Sequence, residues 1–152
     1  MVATVKKVGY RHSGVQIIDA AVEVAVEQGL TGLSFGRVAE ALDISDRMVV
    51  YYFPTKADLI AGVVERMGSE LQVLLHKAFG DERRTTEELL SLAWPVLANR
   101  RGDRVFAVFF EMIGAASAGL EPYPELVRSI MEAWRDWLAD RVIGDRLDVR
   151  RR

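Results

Sequence analysis

FGRVAEALDISDRMVVYYF, from Phe35 to Phe53, is the stretch on which the fold turns. Two helical turns of mixed apolar and polar residues lead up to Asp43 and Ile44. A second short run then reaches Pro54, which cannot continue a helix. A helix-turn-helix needs a small residue where its helices approach, an apolar residue buried in the turn, and an apolar residue on the second helix facing the first. Counting Phe35 as position 1, Ala39 falls at position 5, Ile44 at 10 and Val49 at 15, so all three demands are met. Position 9 favours a left-handed backbone and often holds glycine. Here it is Asp43, a tolerated occupant. The pattern leaves Asp46, Arg47, Met48 and Tyr51 on the outward face of the second helix, where a recognition helix would meet the major groove.

Working outward, Ser34 is an N-cap for the helix opening at Phe35, and Ser45 for the one running to about Tyr52. Ahead of them, Ile18, Ala21, Val22 and Ala25 recur at helical spacing, which predicts a helix over about Gly14 to Gln28. Ser13 with Gln16 reads as a capping box at its start, and Gly29 is expected to close it in a left-handed conformation. Beyond Pro54, Thr55 and Asp58 form a second capping box before a long helix with Leu59, Val63, Met67 and Leu71 on its apolar face.

The remainder stays helical. Thr85 with Glu88 caps a helix through Leu89, Leu90 and Leu97, in which Pro95 predicts a kink. Arg104 to Ala118 is apolar almost all round, which predicts a helix buried on most sides. Pro124 sits as a first helical residue ahead of Leu126, Ile130, Trp134, Trp137, Leu138 and Val142. No segment alternates like a strand. The expected fold is all-α with seven helices: an N-terminal three-helix helix-turn-helix head over 1–55, joined by a long helix to a helical-bundle body over 56–152.

Composition narrows the function. The 152 residues are 50% hydrophobic and 28% charged, as in an ordinary globular chain rather than a disordered or fibrous one. The absence of cysteine removes disulfides, thiolate metal sites and cysteine nucleophiles. No apolar run approaches the roughly 18 residues of a membrane span, and the basic start lacks the apolar stretch of a signal peptide, so a cytoplasmic protein with no membrane partner is expected. The nucleophile-elbow pattern G-x-S-x-G is formally present as Gly32-Leu33-Ser34-Phe35-Gly36, but that motif needs a strand before its serine, and a helix precedes this one. Neither a phosphate-binding loop nor a dinucleotide fingerprint occurs. No enzyme activity and no cofactor are expected.

A net charge of −2 gives no overall attraction for nucleic acid, so placement decides. Residues 1–56 balance six basic side chains against six acidic ones. Lys6, Lys7 and Arg11 precede the first acid, Asp19, and suit either an arm on the phosphate backbone or a solvated tail. Arg47 is the one long basic residue on the reading face, placed to take guanine through a bidentate bond. So few phosphate contacts per subunit call for a dimer on two half-sites about one helical turn apart.

The segment Gln16–Glu65, and above all the run Ser45 to Lys56 with its Tyr-Tyr-Phe and closing lysine, resembles the DNA-binding region of the TetR family of transcriptional regulators. The resemblance covers about a third of the chain. It implies that Ser34 and Arg37 meet phosphate, that Ser45, Asp46, Arg47 and Met48 form the base-facing start of the recognition helix, and that Tyr51, Tyr52 and Lys56 contact the DNA backbone. It further implies a homodimer on a palindromic operator in double-stranded DNA, and a body that binds a small-molecule effector. Two departures stand out. Val50 replaces a tyrosine common in that family, and the chain ends in "GDRLDVRR" plus one arginine where members run on for another long helix. Either a shortened chain or a differently built dimer is expected.

In the body, Trp94, Phe109, Phe110, Ile113 and Trp134 are candidates for an apolar effector pocket, with core packing or a dimer face as the ordinary alternative. Glu111 interrupts the apolar helix and is expected either to orient a polar ligand group or to pair with Arg128, Arg104 or another base. The function expected is a ligand-responsive regulator of transcription, a repressor released from its operator by a small apolar or amphipathic ligand. The alternative is a helical ligand-binding or interaction module that has lost independent transcriptional control.

Overall fold

The computed structural model describes residues 13–143. Among them run seven α-helices: α1 (Gly14–Gly32), α2 (Phe35–Leu42), α3 (Asp46–Tyr52), α4 (Lys56–Phe79), α5 (Thr86–Leu97), α6 (Arg100–Ser117) and α7 (Tyr123–Ala139). Three capping boxes read from the sequence open α1, α4 and α5, each with the N-cap hydroxyl accepting one backbone N–H and the third residue accepting another in return. At α5 the cap's hydrogen bonds to Thr85 hold the Glu88 carboxyl below its usual range. Ser34 also caps α2 through its side chain, but Ser45 makes no side-chain cap bond to α3.

α1 departs from its expected end. It continues one turn past Gly29, which sits inside it at φ 77° and breaks the helical path. That positive φ is accessible to glycine at little cost. α6 starts four residues earlier than the apolar run suggested, because the Asn99 side chain accepts from the N–H groups of Arg101 and Gly102. Pro95 lies in the last turn of α5, which ends two residues later at Leu97, and Pro124 is the second rather than the first residue of α7.

One apolar core runs through the described residues from head to body. Ile17, Ala21 and Ala25 of α1, Leu30, Leu33, Val38, Val49, Leu59 and Val63 are fully buried, and the same cluster includes Met67, Val108, Met112 and Ile130. The head therefore does not hang on a flexible tether: α1 packs against both α4 and α6. A smaller cluster at the far end gathers Leu75, Phe79 and Leu89 with Trp134 and Trp137. There the α4–α5 loop meets the segment after α7 through a single β-bridge between Arg84 and Val142, and Arg141 lies 3.7 Å over the Trp137 ring.

α6 overturns one expectation. Its sequence looks apolar almost all round, yet only Val108 and Met112 are buried, while Phe110 is 68% and Ile113 39% exposed. The helix packs mainly on α1 and α7, with a smaller contact to α5, and its outer side is exposed.

Candidate nucleic-acid interface

The head assembles as the spacing requires. Ala39 is 1% exposed where α2 and α3 approach, Val49 is fully buried on α3, and Ile44 packs against the core from the turn. Asp43 adopts φ 53° and ψ 46°, so an aspartate does occupy the left-handed position of the turn. Its N–H donates to the carbonyls of Ala39 and Glu40, closing α2.

Burying Val49 leaves the other side of α3 outside. Asp46, Arg47, Val50 and Tyr51 are exposed, Tyr51 by 78%. None of Arg47, Tyr51 or Lys56 is engaged in an ion pair among the described residues, so their polar ends remain available to a ligand. Ser45 stands exposed at the start of the helix with its hydroxyl unused for capping. Met48 differs from expectation: it is half-buried and packs against the core, because a seven-residue helix that buries Val49 turns its neighbour partly inward.

The two tyrosines divide. Tyr52 lies against the first turn of α1, so close that a Cβ on Gly14 would come within 2.9 Å of its ring, while Tyr51 packs edge-on to it and points outward. Ser34 is occupied in capping α2, its oxygen accepting the Arg37 N–H at 3.3 Å. The Arg37 guanidinium donates to the Gly32 carbonyl, which commits one of its N–H groups inside the head and leaves the others exposed. Lys56 is exposed at the start of α4. Lys6, Lys7 and Arg11 lie outside the described residues.

The six ligand candidates are not brought around one cavity. Trp94 is 71% exposed, as Phe110 and Ile113 also are in large part, whereas Phe109 and Trp134 fill core positions. Glu111 meets neither a ligand pocket nor Arg104 or Arg128. Its two carboxylate oxygens accept the backbone N–H groups of Leu30 and Thr31, each at 2.8 Å. A cavity of about 350 Å³ lies elsewhere, between α1, α4 and the α5–α6 corner. Val22, Val26, Met67, Leu71 and Phe106 give it apolar walls, and Glu23, Glu70 and Arg101 stand at its rim, the arginine 4.0 and 3.9 Å from the two carboxylates. Sequence reasoning missed this cavity because its walls come from three separated segments, 22–26, 67–74 and 96–106. The heptad-like spacing of Met67 and Leu71 on α4 signals only an apolar face.

Comparison with known proteins bears on both regions. Residues 17–63 match the model of the family described as bacterial regulatory proteins, tetR family. No curated protein matches the chain in sequence. Among solved structures, the chain is similar to the multidrug binding protein EbrR complexed with imidazole, at 25% identity and a TM-score of 0.65, over 86% of this chain and 73% of that one. It is also similar to EbrR complexed with malachite green, at 24% identity and a TM-score of 0.61, over 88% of this chain and 76% of that one. These matches support a DNA-binding transcriptional regulator, and no described helix is long and apolar enough to cross a membrane. The three-helix head, residues 17–63, thus matches the tetR family of bacterial regulatory proteins, and the chain as a whole shares its fold with EbrR.

Proposed function

We propose that the protein is a homodimeric, ligand-responsive repressor that holds a palindromic operator through α3 and leaves it when a small apolar or amphipathic effector enters the body. The observation that carries the DNA-binding half is the outer face of α3: Val49 anchors the helix by full burial while Arg47 and Tyr51 stand free beside it. In this reading Arg47 takes a guanine edge, Ser45 and Asp46 sit at the base-facing start, and Ser34, Arg37, Tyr51, Tyr52 and Lys56 hold phosphate, with Lys6, Lys7 and Arg11 as a backbone arm. Residues 56–152 act as the effector and dimer unit.

The effector half rests on the α1–α4–α6 cavity, whose volume of about 350 Å³ suits a drug-sized molecule. EbrR, which shares the fold, is a multidrug binding protein seen with imidazole and with malachite green. α4 lines the cavity and also begins at the end of the head, so a molecule that spreads α4 from α6 changes the separation of two recognition helices in a dimer. The exposed Phe110, Ile113, Met131 and Leu138 of α6 and α7 favour self-association of the body.

Selection of bound duplexes from a random pool tests the proposal. Recovery of an inverted repeat with half-sites about one helical turn apart is the expected result. A pool that stays random, or an asymmetric single site, contradicts it.

A further inference from the structure

Gly29 and Glu111 are 82 positions apart in sequence and meet at one point. Gly29 turns the backbone at φ 77°, and the two N–H groups that follow the break, those of Leu30 and Thr31, point at the Glu111 carboxylate of α6 at 2.8 Å each. A Cβ on Gly29 would stand 2.7 Å from Glu111 Oε2, so the approach needs a residue without a side chain as well as one that accepts a positive φ. A carboxylate across the exposed donors of a helical turn is a charge-assisted pair of bonds placed at the positive end of that turn. Leu30 and Leu33 on either side are fully buried, which fixes the turn's other face.

The same turn is tied forward to the DNA-facing helices. The carbonyl of Gly32 accepts from the Arg37 guanidinium of α2, and α2 is packed on α3 through Ala39, Ile44 and Val49. Backward along α6, Val105 and Phe106 line the cavity between α1 and α4, within two turns of Glu111.

We propose that Glu111 is a positioning residue for DNA binding: its carboxylate clamps the terminal turn of α1 to α6, and through Gly32 and Arg37 sets the attitude of α2 and α3 relative to the body. The consequence for DNA rests on the reading of α3 as the recognition helix, whereas the clamp itself is tested without DNA. Displacing α6 at the cavity then pulls directly on the head, a second route beside α4. The clamp also explains a carboxylate in a helix otherwise rich in apolar residues.

The experiment is amide hydrogen exchange on the full chain, comparing the wild type with Glu111→Gln and Gly29→Ala, followed by anisotropy titration of each on a duplex recovered by selection. Glutamine keeps the shape but has one accepting oxygen and no charge. Exchange at Leu30 and Thr31 is expected to speed up about tenfold or more, with a smaller rise across 35–52 and unchanged protection in α4. Gly29→Ala should give the same pattern, and the double variant should add little, because both changes break one contact. Equal loss of protection in α4 would mean a general loss of stability and overturn the proposal. So would faster exchange at Leu30 and Thr31 with α2 and α3 unchanged. If the exchange pattern appears but no variant changes affinity for a duplex that the wild type binds, the clamp is not a positioning device for DNA. If the wild type selects no duplex, the exchange result still decides the clamp, and the DNA reading fails by itself.

Discussion

α3 and α6 present similar sequence problems and opposite outcomes. Both mix aliphatic and aromatic residues at helical spacing, yet α3 buries Val49 fully and exposes a mostly polar face, while α6 buries Val108 and Met112 and leaves Phe110 and Ile113 outside. The difference lies in where the partner comes from. The seam of α3 is supplied by α2, a few residues earlier, so spacing within one stretch fixes which side turns inward. The partners of α6 are α1 and α7, one of them about 80 residues away, and local pattern does not say how much of the helix they cover.

Substitution should separate the two helices sharply. Val49→Asp places a charge in a site with no exposed surface and should cost about 3–5 kcal/mol, enough to unfold the head in a denaturant titration. Phe110→Ala should change the stability of an isolated subunit by less than about 0.5 kcal/mol. If Phe110→Ala instead lowers stability in proportion to protein concentration, sedimentation will show a dimer with this face inside, and the comparison becomes one between a subunit core and an interface core.

The corner ahead of α6 offers the next largest effect. A Cβ on Gly102 would fall 2.0 Å from the Leu97 carbonyl oxygen, so Gly102→Ala must push α5 and α6 apart at a backbone contact. A loss of about 1–3 kcal/mol is expected in thermal unfolding. Because Gly102 borders the cavity, the proposed effector site there predicts that binding of an apolar dye, followed by fluorescence titration, weakens in parallel, while duplex affinity without dye changes less. Dye binding that survives unchanged would place the effector site elsewhere.

The head and the helix starts are legible in sequence to the level of individual residues: Ala39, Ile44 and Val49, the left-handed Asp43, the capping hydroxyls of Ser13, Ser34 and Thr55, and in the body that of Thr85 occupy the positions their spacing implies. Each of those features depends on neighbours within five residues. What escaped the sequence is long-range. The Glu111 carboxylate binds main-chain N–H groups, which carry no residue-type signature, and the break in α1 at Gly29 that frees them looks like an ordinary helix end. Asn99 was readable as an N-cap for α6, but the charged run Arg100 to Arg104 masked it.

Smaller effects sharpen the contrast further. Lys56→Ala should weaken every duplex alike and lower the salt slope by about 1, because a lone exposed ammonium on phosphate carries no sequence information. A change confined to one base position would assign Lys56 to the bases instead. On the body side, burial and then the Glu111 carboxylate hold the Tyr123 phenol above its ordinary value of 10.0. A pKa raised on folding contributes stability that is complete below the unfolded value and lost as pH climbs through the folded one. Tyr123→Phe should therefore remove part of the alkaline loss of stability above about pH 10, and Glu111→Gln should lower the phenol's titration in absorbance without returning it fully.

The most direct test of the central claim, that the outward face of α3 reads DNA, is the base-preference profile of Arg47→Ala beside that of the wild type on the selected duplex and its single-base variants. Loss of preference at one guanine per half-site, by about 1–3 kcal/mol, with the other positions unchanged, is the predicted result. A profile that Arg47→Ala leaves intact would contradict it.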